Sequence, residues 1–119
     1  MMEQENGGAI VNIGDWATER PYKDYSAYLV SKGAISTLTR TFAVELAPKV
    51  RVNAVLPGPV LMPDTVSEDE RRRAIAGTLL KRAGRPENVA LAVVALLEND
   101  YITGVCLPVE AGRLLQESN

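Results

Sequence analysis

The 119-residue chain contains no histidine and a single cysteine, Cys106. Without histidine, Ser-His-Asp and Cys-His nucleophilic mechanisms are excluded, and a zinc site loses its usual nitrogen ligand. A lone cysteine forms no internal disulfide. In the apolar run Val105-Cys106-Leu107 it is expected to be a buried small hydrophobe rather than a nucleophile. Long hydrophobic runs are missing too: Val89 to Leu97 is far short of the ~20 residues that span a bilayer. Met1 to Asn6 lacks the basic and apolar segments of a signal peptide, so a cytoplasmic location is the default and no membrane partner is expected. With a net charge of -2 the chain also lacks the basic footprint of a nucleic-acid binder. Its one basic run, Arg71-Arg72-Arg73, follows Glu68-Asp69-Glu70 and reads as a solvated helix face. Finally, no glycine-rich turn links a strand to a helix, since Gly7-Gly8 precedes a strand.

What is present is an ordinary globular composition, 46% hydrophobic and 24% charged, expected to form one domain over residues 1–119. The β-branched run Ala9 to Ile13 reads as a buried parallel strand. A turn-rich loop runs from Gly14 to Lys23, and a helix is predicted from about Asp24 to Ala47, ended by Pro48. Tyr28, Lys32, Ile35, Leu38, Phe42 and Leu46 form its expected buried stripe. Val50 to Val55 is a second strand, stopped by Pro57-Gly58-Pro59. Ser67 and Glu70 suggest a capping box opening a short helix to about Gly77. Pro86 suits the start of another helix, with the stripe Val89, Ala92, Val93, Leu96 and Leu97, and Val105 to Val109 is a third strand. Alternating strands and helices imply an α/β fold with a parallel sheet.

The chemistry concentrates at Tyr28 and Lys32. Residues four apart on a helix share a face, so phenol and ammonium are expected to meet, which would lower the tyrosine pKa and make it a usable proton donor. Taken singly, each has a blander reading: a snorkelling lysine and a core tyrosine with a satisfied hydroxyl. Asp15, just past a strand end, adds a third ionisable group at the carboxyl edge of a parallel sheet, where ligands of open α/β folds bind.

The ordered series Gly8 to Ile13, Tyr28-Leu29-Val30-Ser31-Lys32-Gly33-Ala34, Glu45-Leu46-Ala47, Val50-Arg51-Val52-Asn53, Pro57-Gly58, Arg82 to Glu87 and Ile102-Thr103-Gly104 resembles the short-chain dehydrogenase/reductase family. The resemblance implies the C-terminal half of a Rossmann-type doubly wound sheet, about three parallel strands with flanking helices, without the N-terminal cofactor-binding βαβ unit. It further implies hydride transfer from NADP(H) in the parent enzyme. Tyr28 would be the proton donor, and Lys32 the tyrosine's tuner and ribose anchor. Ile13, Gly14, Pro57, Gly58, Pro59 and Val60 would line the nicotinamide pocket.

Asp15 stands where the family usually has a serine. An ionised carboxylate only accepts hydrogen bonds, so it suits a substrate with ring N–H or amino donors better than a carbonyl. That pattern, with Thr39 to Pro48, resembles the pteridine reductase and dihydromonapterin reductase branch. Asp15, Trp16 and Tyr28 would then contact a pterin or dihydrofolate-type ring. The alternatives are a generic carbonyl reductase, a catalytically dead relative, a truncated interaction module, or an Asp15 that is only a turn residue. Met62 falls where the family usually has threonine, and Glu110-Ala111-Gly112 replaces Asp-Gly-Gly, a change expected to matter little. The parent is expected to be a homo-oligomer. This chain alone is expected to be inactive, to bind no cofactor tightly, and to associate or aggregate through the exposed edge of its first strand.

Overall fold

The computed structural model describes residues 1–60, 62 and 64–116. Three strands, β1 (Gly8–Ile13), β2 (Val50–Pro57) and β3 (Cys106–Val109), form one parallel sheet in the order β1-β2-β3. Helix α1 (Ser26–Leu46) connects the first two strands, and α2 (Glu68–Ala76) and α3 (Pro86–Glu98) lie between the second and third. This is the α/β arrangement expected from the alternating pattern. β2 is flanked on both sides, and its Val52, Ala54, Val55 and Leu56 are wholly buried, which explains its nearly unbroken apolar sequence. The register sets Ile13 opposite Val55 and Pro57 opposite Val109, so the carboxyl ends of all three strands open on one edge. No helix among the described residues is long and apolar enough to cross a membrane.

Helix α1 departs from its expected stripe. Its buried residues are Leu29, Ser36, Thr39 and Ala43, whereas Tyr28 and Leu38 are 44% exposed and Phe42 36%. Small side chains let the helix approach the sheet closely, and close approach outweighs the period of the large apolar residues. Ala43 packs on Val50 and Val52, and the Thr39 hydroxyl accepts a hydrogen bond from Asn12 Nδ2 at 3.1 Å, tying helix to β1. Lys32 is therefore half-buried beside the contact rather than set in an apolar stripe. On α3 only Leu96 is fully buried, and Leu97 is 44% exposed. Cys106 is half-buried, because β3 is an edge strand of this sheet.

Two of the sequence segments noted above lock together. Asn53, with no exposed surface, donates to Ile102 O at 3.0 Å and accepts from Val105 N at 3.0 Å. The Thr103 hydroxyl accepts from Val52 N, and the Gly104 amide donates to Val52 O. Gly104 has φ +80°, a backbone that only glycine adopts cheaply. The Arg51 guanidinium donates to Leu96 O, Leu97 O and Asn99 O at 2.7 to 2.8 Å, closing the carbonyl end of α3. At the other helix starts, Ser67 Oγ accepts from Glu70 N, and Asn88 Oδ1 accepts from Arg85 N ahead of Pro86.

Candidate active site

At the carboxyl edge of the sheet the chain leaving β1 turns at Asp15 into a single 3-10 turn, Trp16–Thr18. Asp15 is its cap: Oδ1 accepts from Ala17 N at 2.8 Å, which fixes the carboxylate's orientation. Oδ2 accepts from the Tyr28 hydroxyl at 2.6 Å. This short bond joins the strand end to the first turn of α1. Around it lies a cleft of about 740 Å³, walled by Trp16, Tyr22 and Tyr25 and floored by Pro57, Gly58 and Pro59. Tyr22 meets Tyr25 edge-on at 5.1 Å and Trp16 at 6.5 Å, so the wall is a continuous aromatic surface.

The hydrogen bond to Asp15 pushes the Tyr28 pKa up to about 12, with burial, the Asp15 charge and Tyr22 adding to it. Tyr22 is raised too, first by burial and then by Asp15 and Tyr25. The sequence-based expectation that Lys32 holds the Tyr28 pKa down is therefore corrected. A carboxylate in direct contact stabilises the protonated phenol, and the ammonium makes no hydrogen bond to it among the described residues.

The structure brings Asp15, Trp16, Tyr28, Pro57, Gly58 and Pro59 together on one cleft. Val60 instead lines a neighbouring cavity of about 260 Å³, with Arg82, Asn88 and Glu110. Ile13, Gly14 and Lys32 line neither. The amides of Gly14 and Gly58 are already bonded to Val55 O and Val109 O, which leaves their carbonyls as the polar groups on offer. Tyr22, Tyr25, Glu70, Arg73 and Arg113 also line the cleft, and the sequence reading missed them. For the tyrosines a signal was present: four of the chain's six aromatic residues fall between Trp16 and Tyr28. Arg73 is exposed, as a solvated helix face requires, and also borders the cleft.

The profile of a family described as enoyl-(acyl carrier protein) reductase matches residues 1–113. The short-chain dehydrogenase/reductase homolog YusR of Bacillus subtilis (strain 168) is 33% identical over 115 residues, 96% of this chain and 89% of that one. The chain belongs to the short-chain dehydrogenase/reductase family. It is similar, at 35% identity over 90% of its length, to the dihydromonapterin reductase of Escherichia coli O6:K15:H31, of which it covers 45%. The crystal structure of FolM alternative dihydrofolate reductase 1 from Brucella canis complexed with NADP superposes with a TM-score of 0.88 at 31% identity, over 98% of this chain and 46% of that one. The chain thus spans about half the length of these two reductases, 45% and 46%.

Proposed function

We propose that this chain forms the substrate side of an NADPH-dependent reductase acting on a pterin or dihydrofolate-type ring. One observation carries the reading: a carboxylate, Asp15, oriented by Ala17 N and bonded to Tyr28 inside an aromatic-walled cleft. Each oxygen of an ionised carboxylate has a second lone pair, so Asp15 has acceptor capacity left for a ring N–H and an exocyclic amino group. A flat ring would stack on Trp16 or Tyr22 while its donors face Asp15.

When bound, the nicotinamide supplies a hydride to a carbon of the ring C=N bond. Tyr28 gives its proton to the adjacent nitrogen, so the C=N bond becomes CH–NH and the phenol becomes phenolate. In the structure without substrate the phenol is held by Asp15; substrate donors on Asp15 draw down that carboxylate's hold and release the proton for transfer. Lys32 fits the cofactor's ribose. It is half-buried one turn on from Tyr28, and its ammonium has no hydrogen-bond partner among the described residues. There it would also offset the phenolate formed when Tyr28 loses its proton. The phosphate cradle such a cofactor needs has no counterpart in the sequence of this chain, so the chain alone is expected to show no steady NADPH oxidation.

The test joins this chain to the dinucleotide-binding first half of the E. coli dihydromonapterin reductase. NADPH oxidation with dihydromonapterin should appear, and Tyr28→Phe should lower it by ~10²–10⁴-fold. Turnover unchanged by Tyr28→Phe would refute the assignment.

A further inference from the structure

We infer that Arg113 is a specificity-determining residue of this cleft, selecting a reduced pterin with an anionic, carboxylate-bearing tail over one with a neutral tail. The inference rests on the pterin reading of Asp15 given above.

The guanidinium of Arg113 lies in the cleft wall, its carbon 5.2 Å from the centroid of the Trp16 ring. Gly77, just past α2, backs it so closely that a Cβ there would stand 2.8 Å from the guanidinium carbon. Indole and glycine thus confine the group without using its N–H donors. Among the described residues the guanidinium donates no hydrogen bond, and the one ion pair is Arg72 with Asp69 at 3.6 Å. Glu70 and Arg73 share the lining, and neither is paired with Arg113 among those residues.

The segment carrying Arg113 is itself pinned. The Glu110 carboxylate accepts from Gly112 N at 3.1 Å and Leu114 N at 2.6 Å, and Arg20 donates to Arg113 O at 3.0 Å and to Gln116 O. A planar donor fork packed against Trp16 and Gly77, its N–H groups unpaired among the described residues, can take a carboxylate through two parallel bonds.

The N3–H and 2-amino donors of a dihydropterin lie on its pyrimidine edge, and its tail leaves from C6 on the far side of the pyrazine ring. With the donors on Asp15 the tail must run away from Asp15. The 740 Å³ cleft has room beyond a bicycle of about a dozen heavy atoms. Of the two cations lining the cleft, Arg113 is half-buried against Trp16 and Gly77, whereas Arg73 is exposed.

The ¹⁵N-labelled chain tests this through the indole N–H resonance of Trp16, its only tryptophan. The ligands are dihydrofolate, 6-hydroxymethyl-dihydropterin as the neutral-tailed pterin, and p-aminobenzoylglutamate as the tail alone. Dihydrofolate should bind roughly tenfold more tightly than the neutral pterin, and the advantage should shrink with added salt. Arg113→Gln should abolish the advantage, lowering dihydrofolate affinity by about tenfold more than neutral-pterin affinity. Gly77→Ala should reduce it as well, because it displaces the guanidinium while keeping the charge.

Equal affinity for the two pterins, or equal loss of both in Arg113→Gln, overturns the inference and leaves the pterin reading standing. Arg113-dependent binding of p-aminobenzoylglutamate with no binding of either pterin overturns the pterin reading and the inference with it. No shift of the Trp16 resonance with any ligand overturns both.

Discussion

Replacing Asp15 by asparagine isolates the interaction on which the site depends. Asparagine can keep its one oxygen on Ala17 N and so still cap the Trp16–Thr18 turn, while its amide NH2 replaces the oxygen that accepted from Tyr28, so the fold is kept while the charge and that acceptor go. With its pKa at about 12, Tyr28 should be roughly a tenth ionised at pH 11, where a free tyrosine is about nine-tenths ionised. In Asp15→Asn the phenol should move about one unit or more back toward its ordinary value of 10.0. Burial and Tyr22 remain as smaller upward influences. Ring-¹³C-tyrosine NMR follows the titration, with Tyr28 assigned through Tyr28→Phe. The same pair affects stability. A phenol whose pKa is raised by folding contributes stability that is complete below about pH 10 and is lost as pH rises through about 12. Because Tyr28 is 44% exposed, solvent screening keeps that contribution small. A wild-type midpoint at or below 10 would show that the ammonium of Lys32 governs the phenol and that the bond to Asp15 does not form.

Other consequences are equally direct. In the joined reductase, Lys32→Ala should weaken NADPH binding and turnover together, and its effect should be non-additive with Tyr28→Phe; normal kinetics would leave Lys32 a snorkelling side chain. Ala111 has φ 58°, in the left-handed region, so Ala111→Gly should stabilise the chain by about 0.5–1 kcal/mol in urea unfolding, and a loss of stability would contradict that strain. Arg51→Met removes three good hydrogen bonds to carbonyls at the end of α3 and should cost about 2–3 kcal/mol, because the exposed carbonyls of Leu97 and Asn99 regain water. That corresponds to a fall in Tm of roughly 10 °C, and a fall under about 3 °C would show that the clamp is ornamental to the fold.

Elements with strong local signals were legible in the sequence: β2 through its apolar run, α2 through Ser67, and α3 through Pro86 and its stripe. The buried face of α1 was not. A stripe drawn through Leu38 and Phe42 follows side-chain size, whereas the sheet contact selects Ser36, Thr39 and Ala43 for closeness. Asp15 and Tyr28 were singled out because their types and spacing are local, but their direct bond depends on how the Asp15 turn folds back on α1. Arg113 could not be found by spacing, since it reaches Trp16 from 97 positions away through the end of β3. The change to Glu110-Ala111-Gly112, expected to matter little, places alanine in a left-handed backbone and uses Glu110 to hold the turn that carries Arg113.

Recognition of pterin ring donors by Asp15 is put to the test by Asp15→Ser in the joined reductase. The readout is kcat/KM for dihydromonapterin set against kcat/KM for a simple diketone such as 2,3-butanedione. A carboxylate built for ring donors should lose at least ~10²-fold on the pterin when replaced, since the substrate's amino and N–H groups are left poorly paired. The diketone never used that contact and should be reduced as well or better with serine in place, giving a change of substrate preference. Equal losses on both substrates would show that Asp15 only shapes the turn at the end of β1.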